Sequence, residues 1–84
     1  MALATATLTF TSGGATSQTF TWTPLVPNLP LTAATPKVLS CSVVVTGAGQ
    51  GDVGAFLSSA PTSSGGTCEL TAATDCTVYL VASD

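Results

Sequence analysis

Ala4-Thr5-Ala6-Thr7-Leu8-Thr9-Phe10-Thr11 alternates small or apolar residues with threonine without a break. A period of two built from β-branched residues is the signature of a half-buried strand, because successive side chains leave the backbone on opposite sides. Ala4, Ala6, Leu8 and Phe10 share the face that seeks a core, and Thr5, Thr7, Thr9 and Thr11 share the face turned outward. Ser12-Gly13-Gly14-Ala15 follows as a turn, since glycine reaches backbone angles closed to other residues. Thr19-Phe20-Thr21-Trp22-Thr23 alternates again and places both rings together, so residues 4–23 read as a hairpin-like pair of strands.

Downstream, the same logic continues with turn chemistry between the strands. Pro24-Leu25-Val26-Pro27-Asn28-Leu29-Pro30 contains three residues without an N–H, so it is expected to stop the second strand and cross from one sheet to another. Residues 38–46 form the next strand, with Leu39, Cys41, Val43 and Val45 on one face. A glycine-rich loop over 47–54 leads to a short strand at 53–57, and 61–66 is a second loop. Brief and long strands then follow at 68–71 and 76–83, with Val78 and Leu80 pointing inward. Six short strands and no helical periodicity predict an all-β chain, a small sandwich or barrel of antiparallel strands forming a single domain over residues 1–84. The expected core is Leu8, Phe10, Phe20, Trp22, Val43, Val45, Val78 and Leu80.

Charge narrows the function. Only Lys37, Asp52, Glu69, Asp75 and Asp84 are charged, histidine is absent, and the net charge is −3. A single lysine disfavours nucleic acid, whose phosphates demand clustered cations, and equally disfavours an anionic membrane surface. A folded monomer of this size exposes roughly 4,500 Å². That is about one charge per 900 Å², near the ~800 Å² that one partner contributes to a standard interface. Soluble surfaces are normally charged far more densely. We therefore expect another protein to cover much of this one, and expect self-association, with a three-fold cluster preferred. No basic segment precedes an apolar stretch at the N-terminus, which with Met1 leads us to expect a cytoplasmically made product without a processed leader.

Motifs that would carry chemistry fail on context. Gly49-Gln50-Gly51-Asp52-Val53-Gly54 matches a dinucleotide fingerprint, but that fingerprint needs a following helix, and residues 55–60 are too few before Pro61. Without histidine there is no imidazole base to activate a serine or cysteine, and Glu69 with Asp75 reads as solvated acids rather than a catalytic pair. No enzyme activity, metal or cofactor is expected. Cys41, Cys68 and Cys76 read as reduced, small hydrophobes; the rival is one disulfide, either Cys68–Cys76 closing a short hairpin or Cys41–Cys76 joining two strands. Phe20 and Trp22 are assigned to the core. Tyr79 falls opposite Val78 and Leu80 and is the best anchor for a partner, with Thr5, Thr7 and Thr9 as further interface candidates.

In its short all-β chain, its near-absence of charge and its threonine-rich strand at 4–11, the sequence resembles the small capsid decoration, or cement, proteins of tailed bacteriophages. The resemblance implies a structural virion protein, made in the host cytoplasm and seated on the capsid surface as a trimer or other cluster that clamps a larger capsid protein. It assigns no residue a role. Two other readings share the composition: a surface binding module (an adhesin, tail-fibre or lectin-like domain) and an extracellular filament subunit. In the filament, the strand at 4–11 would complete a neighbour's sheet.

Overall fold

A computed structural model describes residues 2–84 and contains seven strands, with no helix among the described residues. They are β1 (Leu3–Phe10), β2 (Ser17–Thr21), β3 (Thr23–Pro24), β4 (Lys37–Val45), β5 (Ala55–Leu57), β6 (Gly65–Leu70) and β7 (Cys76–Ser83). Four of them make one antiparallel sheet in the order β3-β1-β7-β4, and three make another in the order β2-β6-β5. The chain is all-β, and its two sheets close on a shared core as a sandwich.

The centre of the larger sheet is β1 against β7, paired along eight residues from Leu3↔Ser83 to Phe10↔Cys76. Directly opposed residues share a face, so Ala4, Ala6, Leu8 and Phe10 meet Ala82, Leu80, Val78 and Cys76, and all eight are buried. Small residues oppose large ones at Ala6↔Leu80, which lets the facing sheet come close. From that facing sheet, Phe20, Cys68 and Leu70 complete the core, joined by Trp22, where the chain changes sheets, and by Leu31 from the segment between β3 and β4. The rings of Phe20 and Trp22 meet edge to face, with centroids 4.8 Å apart and an interplanar angle of 75°. Trp22 satisfies its indole by donating Nε1–H to the Thr62 carbonyl at 3.0 Å. Of the expected core, six residues are buried, while Val43 and Val45 are only partly so.

Two expectations need correction and one is narrowed. Residues 4–23 do not form a hairpin. β2 pairs with β6 in the smaller sheet, and the chain changes sheets at Trp22, so that Thr23 and Pro24 return to pair with Thr5 and Ala4 of β1. The expected second strand is thus split in two, and the crossing precedes the proline segment. That segment instead carries the chain from β3 to β4, on the opposite edge of the same sheet, turning at Val26–Leu29 with Pro27 second and Asn28 third at φ 66°.

The second concerns the strand at 4–11, expected to complete a neighbour's sheet in a filament. β3 pairs with β1 only at Ala4 and Thr5, so Ala6–Phe10 have no strand on that side, while the longest open edge belongs to β4. The third concerns residues 65 and 66, expected in a loop, which open β6. Gly65 lies so close to β2 that a Cβ there would fall 1.9 Å from the Phe20 carbonyl oxygen, and only glycine permits the approach.

Two acids tie the loops together. Asp75 accepts from the Ser12 backbone N–H at 2.7 Å and from the Gln50 side-chain amide at 2.9 Å, while its own N–H donates to Gln50 Oε1. Asp84 accepts the backbone N–H groups of Thr32 and Ala33 at 2.9 and 3.0 Å, and these bonds, Ala33 foremost, hold its carboxyl below the usual range.

Candidate interaction face

The outer face of the four-stranded sheet collects the residues that sequence singled out. Thr7 of β1 lies directly opposite Tyr79 of β7, which in turn lies opposite Ser42 of β4. One row along, Thr23, Thr5, Val81 and Ser40 align across all four strands; on the other side, Thr9, Thr77 and Val44 align across three. All four interface candidates, Tyr79, Thr5, Thr7 and Thr9, therefore share one surface. Tyr79 stands at its middle with 46% of its surface exposed. These three rows carry no charged side chain. Period two was enough to group the threonines. Tyr79 joined them only through the β1–β7 register, which no local pattern specifies.

Chemically, this face offers hydroxyls with methyl groups beside them and one phenol. Threonine in a strand has a restricted χ1, so ordering these side chains against a partner costs little entropy. Tyrosine adds a large rigid area with a polar tip, the composition of an interface anchor. The face is suited to packing and to hydroxyl hydrogen bonds, and it has nothing with which to attract ions.

Elsewhere the chemistry-bearing groups are engaged in structure. The three cysteines are free. Cys68 and Cys76 are buried in different sheets, so the residues between them cross the sandwich instead of closing the hairpin that a Cys68–Cys76 bridge presumed. Burial, then the neighbouring Cys41, Cys76 and Glu69, push the Cys68 thiol up to about 11. Burial also raises Cys41 and, with Asp75, raises Cys76. Cys68 and Cys76, both buried, pack in the core, while Cys41 is exposed on β4 with its thiol near the Ala55 carbonyl. The glycine loop over 47–54 runs from β4 to β5 with no helix after it, and its Gly49 has φ 75°. Both oxygens of Asp75 are occupied as described, and Glu69 lies between Ser17 and Phe56 on the smaller sheet.

The sequence pattern did not reveal that the inward-reading side of β4 is largely uncovered. Leu39 is 56% exposed, Cys41 is exposed and Val43 and Val45 are only half-buried, while Val38 and Val44, 37% and 51% exposed, lie on the side that alternation turns outward. The alternation of residues 39–45 gave no warning. The facing sheet has one strand fewer, and its strand beside β4 is the three-residue β5. No protein-family model, curated protein or solved structure matches this chain.

Proposed function

We propose that this chain is a structural subunit that decorates and stabilises a larger protein shell, a virion capsid in the first instance, and seats itself through the Thr5–Thr7–Thr9–Tyr79 face. The observation that carries this reading is a broad sheet face without a charged side chain, centred on an exposed tyrosine. The exposed area of 4612 Å² leaves about one charge per 900 Å², more than the ~800 Å² each side of a standard interface buries. A surface of this kind gains by being covered with packed neighbours.

The forces follow from the residues. With one cation and four anions in the chain, attachment rests on apolar packing and on hydroxyl or backbone hydrogen bonds. Salt screens exposed ion pairs, with a Debye length falling from about 10 Å at 0.1 M to about 3 Å at 1 M, but it leaves packing intact. Urea weakens both apolar and peptide contacts. We expect occupancy on particles to survive about 1 M sodium chloride and to fall in urea concentrations that leave the shell whole. Tyr79→Ala should weaken attachment about thirtyfold, the equivalent of ~2 kcal/mol at an anchor position. Gel densitometry of washed particles reads both effects. Release by salt alone, with Tyr79→Ala binding normally, overturns the reading.

A further inference from the structure

Among the described residues, the outer edge of β4 is the longest edge with no strand beside it. Nine residues long, it ends the four-stranded sheet, and no strand pairs its outer side among the described residues. Exposed edges are normally blunted by charge, proline, a bulge or shortness. Here the one charge, Lys37, and the one bulge, at Leu39, are both at the first end, and Ser40–Val45 has neither. Five of the eight large exposed hydrophobics, Val38, Leu39, Val44, Phe56 and Tyr79, lie on β4 or on the strands adjoining it.

We propose that this edge pairs antiparallel with β4 of a second copy of the chain. Two four-stranded sheets then become one of eight strands across a two-fold axis. Three observations select this occupant. An axis through Ser42 or Val43 keeps Ser40, Ser42 and Val44 on one face and Cys41, Val43 and Val45 on the other in both copies, so the pairing costs no side chain its environment.

Charge also favours the antiparallel sense. Lys37 stands at one end of β4, and Asp75, whose carbonyl accepts the N–H groups of Thr46 and Gly47, stands at the other. Antiparallel pairing brings each Lys37 toward the Asp75 end of the second copy, whereas parallel pairing would stack lysine on lysine.

The area suffices as well. Nine residues span ~30 Å at ~3.4 Å each. With a molecule of 40 × 22 × 17 Å, the wall they line is roughly 500–650 Å² per copy, which reaches the lower bound of a stable interface, about 1,200 Å² in total. An edge that pairs with itself closes at two copies and does not by itself make a three-fold cluster. The pairing also makes the threonine–tyrosine faces of both copies continuous. It stands independently of the particle reading, because it needs no shell.

Light scattering after size exclusion, at high micromolar protein and without particles, should give about 16 kDa, twice the 8.2 kDa chain. The double substitution S42K/V44K changes two exposed side chains and sets like charges against each other across the axis. It should run as 8.2 kDa and unfold cooperatively at a midpoint that no longer rises with protein concentration, as the wild type's does. A wild-type monomer, a species of three or more copies, or a dimer that survives S42K/V44K overturns the proposal. Should that variant fail to fold, amide exchange on the wild type decides the matter. The β4 amides not bonded to β7 must become protected as concentration rises, and exchange independent of concentration refutes the pairing.

Discussion

Phe20→Ala is expected to lower stability by about 3–5 kcal/mol, while Thr21→Ala next to it costs under about 1 kcal/mol. Phe20 is 9% exposed, its ring meets Trp22 edge to face, and it covers Gly66, where an added Cβ would lie 3.2 Å from the ring. Truncation removes the ring's transfer energy, leaves a cavity, and takes away the aromatic pair that closes one end of the core. Thr21 points the other way, into solvent. A domain of this size has about 4–13 kcal/mol to lose. The alanine variant should thus melt about 15 °C or more below the wild type, since each kcal/mol shifts a small domain by roughly 4–8 °C. The single tryptophan reports the transition by fluorescence. Equal midpoints for the two variants would mean that the faces of β2 are wrongly assigned.

Gly65→Ala is expected to do comparable damage through the backbone. The added Cβ would fall 1.9 Å from the Phe20 carbonyl oxygen and 2.9 Å from its carbon, and neither atom can swing aside as a side chain would. Gly65 also has φ 154°, a conformation that L side chains rarely adopt. Relief requires separating β2 from β6 at the Phe20↔Gly66 and Thr21↔Gly65 pairs, which withdraws Phe20 from the core. We expect a loss of at least about 3 kcal/mol. Gly51→Ala is the control, because nothing lies within 4 Å of a Cβ there. It should be nearly neutral when both variants are unfolded in urea and followed by tryptophan fluorescence. A Gly65→Ala protein as stable as Gly51→Ala would show that the two strands do not approach as described.

How much of this was legible in the sequence depended on whether the signal was local. β1 and β7 were readable because alternation is written into consecutive residues, and the core side of each followed at once. Strand partners were not, because pairing is decided by residues far apart in the chain. The glycines at 13 and 14 mark a turn equally well for a hairpin and for a change of sheet; the chain takes the second course, and Gly14 donates to the Thr11 carbonyl at 3.1 Å. Gly65 and Gly66 looked like a loop because nothing local says that another backbone will pass over them. β4 misled in the opposite sense. Its apolar face was real, but whether a face is covered depends on the length of the facing sheet, and β5 ends after three residues. The interaction face divided along the same line, with the threonines legible within β1 and their union with Tyr79 and Ser42 fixed only by register.

Counting decides whether the chain is, as we propose, a building part of a larger particle. Particles purified from the native source should carry this chain at a high and fixed copy number, the same from one preparation to the next and set by the symmetry of the shell. Quantitative mass spectrometry against a labelled standard of the chain gives that number relative to the main shell protein. Absence from particles, or a trace amount that varies between preparations, would contradict the account.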